Sequence, residues 1–467
     1  MSGPQSAPPR ERVHLPVLER PSSLRSDGRR VAIVPADVRG RFNTARHALF
    51  ATLLAIGIAL PLIRIDGRPA VFLDVPARRF FVFGESFNAQ DGWLVFFVLS
   101  GLGFGLLVLT TVLGRAWCGW ACPQTVLLEG LFRPIERLIE GSRSARQKRA
   151  AGPRTLDRTL RTAAKHAVFG IVALLIAHLV LAYFVSMPSL GAMILEGPAA
   201  HPVAFAWSSA VGVALYVHAA WFREQLCLIV CPYGRLQSVL TDDDSLTVGY
   251  DERRGEPRGH GKAREGLGAC VDCGRCVAVC PTGIDIRHGL QIDCIACTQC
   301  IDACDEVMDK LHQPRGLVRY DSLRGLRGEA RRFFRPRVAL YAVLGVVGMG
   351  ALGIAVTLHQ PLEATLLRTR GAPFVMDGDV VRNTFEIHVV NKRDTAVRVE
   401  LSTADAPGGA EVDLMPTLEL EALASARALL VVRVPRERLT AGARVRVTVS
   451  TTDATVQLEA PILGPLR

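Results

Sequence analysis

The sequence predicts a multi-domain membrane protein. Its parts are a helical transmembrane bundle of about five spans, a cysteine-rich α+β module inserted before the last span, and a C-terminal all-β sandwich. Three observations predict this. Five apolar runs have the length of a bilayer crossing, about 20 residues. Eight of the twelve cysteines fall between Cys270 and Cys304. Beyond residue 361 the texture changes to polar residues alternating with β-branched ones, the period of a half-buried strand. A hydrophobic share of 49%, a charged share of 21% and a mean hydropathy of +0.25 suit a membrane chain with sizeable water-exposed parts.

Residues 1–44 are polar, proline-containing and arginine-rich. They lack the apolar core of a secretory signal and read as a flexible cytoplasmic tail. Residues 45–240 form a four-span membrane domain with runs at His47–Ile63, Trp93–Leu113, Ala167–Met187 and Val203–Phe222. A fifth run, Val338–Leu358, lies in a transmembrane segment at 336–360. The last four runs contain no Lys, Arg, Asp or Glu. Lipid offers the backbone no hydrogen bonds, so these runs are expected as helices.

Orientation follows from the basic residues. The tail before the first run has nine arginines, residues 64–90 have four, and residues 115–165 have eleven Lys and Arg. Residues 188–202 have none and residues 223–337 have eighteen. That alternation is the positive-inside pattern. It places the tail, the 115–165 loop and the cysteine module (241–335) in the cytoplasm of a bacterial inner membrane, and residues 361–467 in the periplasm. The net charge of +11 therefore sits mostly beside anionic headgroups, and a nucleic-acid partner loses its support. Within the 115–165 loop, Leu127, Leu128, Leu131, Phe132, Ile135, Leu138 and Ile139 recur at helical spacing. That helix either lies in the interface or packs against the spans.

The module carries two matched runs, Cys270-x2-Cys273-x2-Cys276-x3-Cys280-Pro281 and Cys294-x2-Cys297-x2-Cys300-x3-Cys304. Three sulfurs at x2 spacing converge from one tight loop, and in two-cluster ferredoxins each fourth ligand comes from the other half. The spacing assigns one [4Fe-4S] cluster to Cys270, Cys273, Cys276 and Cys304, and a second to Cys280, Cys294, Cys297 and Cys300. Zinc does not explain two such quartets closed by Cys-Pro, and structural disulfides are foreign to reducing cytoplasm. Val277, Ile284, Ile286 and Ile295 are placed to shield the clusters, and the clusters are expected to hold the module's fold.

Two further pairs, Cys118-x3-Cys122-Pro123 and Cys227-x3-Cys231-Pro232, each follow a span. Spacing of four predicts both sulfurs on one helical face, with proline ending the turn. Four thiols at one depth suit an additional cluster, copper(I), or a dithiol–disulfide couple. The inert alternative is cysteine as a small buried hydrophobe. His166, His178 and His218 lie in or beside spans three and four, where haem ligation, quinol contact or plain helix–helix polar contacts all fit. Arg223, Glu224 and Arg235 read as membrane-surface residues.

The outer region offers at least five and up to seven short strands, including "VRNTFEIHVVNKR", "RALLVVRVP" and "ARVRVTVSTTD", and no cysteine. That pattern predicts an antiparallel sandwich with a binding or docking role. Met376 and His388 are single residues that more often pack than bind copper.

Laid out this way, the chain resembles the FixG/CcoG/RdxA family of membrane iron–sulfur proteins over nearly its full length. The resemblance rests on "WCGWACPQTVLLEG", "CLIVCPYGRLQSVLTDDDSLTVGYDERRGEPRG", the whole Cys270–Cys304 block, "GLVRYDS" and "GRFNTARH". It implies an immunoglobulin-like outer domain. It also implies a role in assembling cbb(3)-type cytochrome c oxidase, with copper(II) reduced to copper(I) by a cupric reductase. Cys118, Cys122, Cys227 and Cys231 carry over as the catalytic and copper-binding positions. Implied partners are copper ions, oxidase assembly factors, a copper-transporting ATPase and an unidentified electron donor. The mechanism expected is a one-electron relay from donor to clusters to membrane thiols. A quinol-linked electron-transfer subunit and a non-catalytic assembly scaffold are the rival readings. No triad, phosphate loop or carboxylate pair suggests hydrolysis.

Overall fold

The computed structural model describes residues 33–65, 67–260, 265–357, 362–393, 395–406 and 409–465. Most of the tail, residues 1–32, lies outside them. The chain forms two compact units: one comprises residues up to 73 together with Phe97–Met349, the other Asp74–Phe96 together with Gly350–Arg467.

Five helices are long and apolar enough to cross a membrane. They are α1 (Arg41–Ala59), α2 (Trp93–Leu113), a long helix at Leu156–Val185, a helix at Pro202–Val217 continued by a wide π turn to Phe222, and one at Pro336–Thr357. Phe96, Leu99, Leu102 and Val346 point outward and are more than 60% exposed. Water would punish such surface and lipid does not. The chain is a multi-pass membrane protein.

Two boundaries differ from the sequence reading. The first span starts at Arg41, not near residue 45, and the chain is packed before it begins. Ala36 N–H bonds Ala278 O at 2.8 Å, and Asn43 N–H bonds Asp302 Oδ2 at 2.7 Å. Asp302, 4% exposed, thereby satisfies orphan N–H groups of the first turn of α1 and faces the positive end of its dipole. From residue 36 the segment ahead of α1 is packed against the cysteine module. The third helix starts eleven residues early, at Leu156 and not Ala167, because Thr155 caps it by accepting from Arg158 N–H.

Between the spans, short helices follow α2: α3 (Ala116–Trp120), α4 (Pro123–Leu127), then a π turn at Leu128–Phe132 and α5 (Arg133–Glu140). Of the two roles open to this segment, packing is the one observed. Leu128 and Phe132 are buried against Phe169 and Ala219, and only Leu138 stands out, at 86% exposure. Past the fourth span, a π turn at Leu226–Val230 leads into α6 (Pro232–Leu240).

The cysteine module is an α+β unit. Strands Leu246–Tyr250 and Val318–Ser322 pair antiparallel with Val248 opposite Tyr320, and α7 (Gln299–Lys310) lies beside them. It is fastened to the end of α2, whose last carbonyls have no helical partners. Arg331 donates to Val112 O at 2.7 Å, Arg335 to Thr111 O at 2.8 Å and Tyr320 Oη to Leu113 O at 3.2 Å. Arg337 and Arg335 both hold Asp242.

The C-terminal part of the second unit is the predicted sandwich, with nine strands among its described residues where five to seven were expected. One sheet joins Leu362–Arg368, Val375–Asp377, Val380–Asn391, Glu411–Leu414 and Ser425–Pro435. The other joins Val397–Asp405, Thr417–Leu420, Arg444–Ser450 and Thr455–Pro461. Phe385, Ile387 and Val389 alternate inward from one long strand and meet Val445, Val447 and Val449 from the facing sheet. The extra strands are three or four residues long, too short to show a period. The 74–96 segment belongs to this unit. Lys392, 8% exposed, reaches Asp91 at 2.8 Å and Glu363 at 2.9 Å.

Candidate metal centre

The module's cysteines gather as two quartets. Cys270, Cys273, Cys276 and Cys304 line one cavity, together with Tyr250, Met308 and Leu317. Cys280, Cys294, Cys297 and Cys300 line a second, walled by Ile284, Ile286 and Ile295, with Cys276 shared between the two. Backbone geometry explains the convergence. Asp272 and Gly274 take left-handed conformations around Cys273, and Ala296 and Thr298 do so around Cys297. Each tight turn folds a sulfur back toward its neighbours. Cys300 and Cys304 then stand on one face of α7, four residues apart.

Burial pushes the Cys276 and Cys294 thiols up to about 11 and the Cys297 and Cys304 thiols up to about 12. Without metal they stay protonated, so loading must release protons. Backbone already points at sulfur: Ala296 N–H lies 3.4 Å from Cys294 Sγ. Among the described residues no three His, Cys, Asp or Glu side chains gather tightly enough to grip one ion. A single tetrahedral zinc needs sulfurs about 3.8 Å apart, given its 2.3 Å bonds. Eight thiols set around two cavities fit a multi-iron cube better than a lone ion.

The two Cys-x3-Cys-Pro motifs adopt the same local structure, and it is not the one expected. Cys118 lies on α3 and Cys227 on a π turn, but Cys122 and Cys231 are extended, at φ −60°, ψ 125° and φ −67°, ψ 113°. Each second cysteine closes a wide turn through its N–H, Cys122 to Trp117 O at 2.8 Å and Cys231 to Leu226 O at 2.7 Å. Proline excludes the helical conformation from the residue before it and is well suited to the first position of a helix. Pro123 and Pro232 therefore start α4 and α6 where they were expected to end a turn, and the paired sulfurs do not share one helical face.

The two pairs nevertheless come near enough for their thiols to act on one another's charge. Burial lifts Cys118 to about 11, and Cys122 and Cys231 add to the rise while Gln237 and Arg115 oppose it. Burial lifts Cys227 to about 12, reinforced by Cys122, Cys118 and Cys231. Gln237, fully buried, places Nε2 3.4 Å from Cys118 Sγ. Thr125 Oγ1 donates to Cys118 O at 2.6 Å and steadies the first loop.

Several functional neighbours were invisible in the sequence. Arg115 donates to Cys294 O at 3.3 Å and also to Ile292 O and Gly234 O. Arg46, 1% exposed, donates Nε to Gly119 O at 3.0 Å. Arg223 and Glu224 are not surface markers: they are 9% and 4% exposed. Arg223 meets Glu136 at 2.6 Å, and Arg146 meets the same carboxylate at 2.8 Å. Burial raises the Glu136 carboxyl, but Arg223, Arg146 and Lys165 outweigh it and hold the group below the usual range. The histidines go separate ways. His166 contacts Tyr216 Oη at 3.1 Å, His178 contacts Leu174 O at 2.8 Å, and His218 meets the edge of Phe222. Met376 and His388 lie on different strands of one sheet, and His388 is opposite Arg427 and Thr365.

Comparison with known proteins accounts for all three regions. The 4Fe-4S dicluster domain family matches residues 222–323, which include Cys227, Cys231 and both quartets. A 4Fe-4S binding domain family matches 94–141, which include Cys118 and Cys122. The immunoglobulin-like fold at the C-terminus of FixG matches 352–465. Protein RdxA of Cereibacter sphaeroides is 37% identical over 408 residues, covering 84% of this chain and 85% of that one. Nitrogen fixation protein FixG of Rhizobium meliloti is 37% identical over 409 residues, covering 78% and 77%. Protein RdxB of Cereibacter sphaeroides is 36% identical over 411 residues, covering 84% of each.

Proposed function

We propose that this chain, which belongs to the FixG/RdxA family and is a membrane-associated iron–sulfur electron-transfer protein, reduces copper(II) to copper(I) in support of cbb(3)-type oxidase assembly. The observation that carries this reading is that the two membrane pairs meet beside the cluster-binding loops: Gln237, on the helix that follows Cys231, reaches Cys118 Sγ at 3.4 Å, and Arg115 bonds both Gly234 O and Cys294 O. Copper(I) prefers soft sulfur, so thiolates favour the reduced product over the incoming copper(II).

In this reading Cys270, Cys273, Cys276 and Cys304 hold one [4Fe-4S] cluster, and Cys280, Cys294, Cys297 and Cys300 hold the other. When bound, they supply one-electron storage and transfer at potentials set by burial and hydrogen bonds to sulfur. The chain's own residues do the rest. Ile284, Ile286 and Ile295 exclude water from the second quartet. Arg115 and Gln237 offset the burial cost of thiolate at Cys118. The alternation of basic loops supports a cytoplasmic side for the thiols and the module. The packing of segment 74–96 with the C-terminal strands supports a shared opposite side, the periplasm. Oxidase assembly factors, a copper-transporting ATPase and a cytoplasmic electron donor are the partners this role requires.

The test is the Cys118→Ser, Cys227→Ser double variant. Iron, labile sulfide and cluster absorbance should persist while copper(II) reduction is lost. Retention of both would make the membrane pairs structural.

One observation favours a quinol-linked reading as second choice. A cavity of about 250 Å³ lies between Gly114, Arg115, Asp242, Gln291 and Cys294, at the end of α2 and beside the second quartet. If decylubiquinol reduces the clusters and a Leu290→Trp substitution in the cavity wall prevents it, that reading gains; if the quinol leaves the clusters oxidised, it falls.

A further inference from the structure

Gly119 lies between the two cysteines of the first membrane pair. Its backbone is helical, and no left-handed angle demands glycine there. Space demands it. A Cβ at this position would sit 2.5 Å from Ile295 O and 2.8 Å from Ala296 O, both backbone atoms that cannot swing aside. Those two carbonyls lie between Cys294 and Cys297. The loop of the membrane thiols and the loop of the second quartet therefore touch main chain to main chain. Arg46 pins Gly119 O, and Arg115 spans Cys294 O and Gly234 O, so the same contact includes the second membrane pair. Gly234 repeats the close approach, since a Cβ there would lie 2.8 Å from Cys227 O.

Among the described residues lining its cavity, the first quartet has no such neighbour. Its cavity is walled by the module's own Tyr250, Val271, Arg287, Val307, Met308 and Leu317. Cys273 of that quartet is exposed.

We infer that Gly119 is the positioning residue that fixes the direction of the relay. Electrons come in at the first quartet, cross to the second, and leave through the Gly119 contact to the membrane thiols. The inference rests on the copper reading above. Each copper(II) takes one electron to become copper(I). That electron is replaced at the second quartet by one from the first, and the thiolates are neither oxidised nor consumed.

The experiment uses the cluster-loaded protein in detergent. Gly119→Val and the milder Gly119→Ala are compared with Gly103→Ala, a helical glycine with nothing within 4 Å of its Cβ. In dithionite-reduced protein, reoxidation by copper(II) should slow severalfold in Gly119→Val, whose side chain forces the two loops apart, and less in Gly119→Ala. Iron content and cluster EPR signals should stay as in the parent. A second readout needs no copper chemistry. In a Cys273→Ser background, which leaves the second quartet intact, cobalt(II) bound to the membrane thiols should speed the spin relaxation of the remaining reduced cluster, and Gly119→Val should weaken that effect. Unchanged reoxidation in Gly119→Val overturns the inference, as does absence of relaxation enhancement in the Cys273→Ser protein. Should copper(II) fail to oxidise even the parent, the copper reading falls and the relaxation measurement still decides the contact.

Discussion

In the C-terminal sandwich the core between the sheets is hydrocarbon: Ile387, Leu430, Val432, Val445 and Val447 are fully enclosed. In the cysteine module the equivalent positions go to Cys270, Cys276, Cys280 and Cys294, with Ile301, Met308 and Leu317 around them. The first region has a core that alternating strands supply by themselves. The second surrounds two cavities with thiols, whose attraction for each other is slight until iron and sulfide join them. Two regions of one chain thus use different sources of cohesion, and they should fail under different insults.

The largest expected effect separates them outright. Removing iron with a chelator under reducing conditions should make residues 265–323 exchange amide hydrogen freely and yield to protease. Residues 375–461 should stay as protected as before. Equal loss in both would show that the module and the sandwich share one source of stability. Next in size is the buried ion cluster of the first unit. Glu136→Ala strands Arg223 and Arg146 and should cost about 3–5 kcal/mol, read as a lower melting point of the first unit. Glu136→Gln should cost less, because it keeps the acceptor oxygen. In the sandwich, Leu430→Ala removes packing at a fully enclosed site and should cost about 2–5 kcal/mol, with iron content and cluster absorbance unchanged.

The smallest effect concerns acidity. In cluster-loaded protein free of copper, burial holds the protons on Cys118 and Cys227 up to about 11 and about 12. Alkylation by iodoacetamide needs the thiolate. Labelling of both, followed by mass spectrometry, should be slow at pH 8 and keep accelerating above pH 10. Gln237→Leu removes a hydrogen bond that favours the thiolate and should slow labelling of Cys118 further, leaving Cys227 unchanged. A plateau by pH 9 would contradict the burial seen around these sulfurs.

Much of the architecture was legible in residue order because its causes are local or periodic. A crossing needs about 20 apolar residues, and Trp93–Leu113 was bounded correctly on that ground alone. The long strand at Val380–Asn391 shows its period over twelve residues. The short strands at Val375–Asp377 and Glu411–Leu414 offer too few residues to show one. The conformation at Cys122 and Cys231 was in principle readable from the proline that follows each. It was missed because spacing was weighed ahead of the restriction proline imposes on its predecessor. The ordered arm before α1 was hidden for another reason: Asp302, its partner, lies some 260 residues away.

By itself, the order of residues determined the number of crossings, the alternation of basic loops, the thiol count of the module and the β character of the C-terminal region. Each depends on composition over a short window. Only the tertiary structure decided that Gly119 meets the carbonyls of Ile295 and Ala296, that Gln237 reaches Cys118, and that Arg223 is buried against Glu136. These contacts join segments far apart in the chain. Their energies depend on distance and desolvation in three dimensions, which linear spacing does not encode.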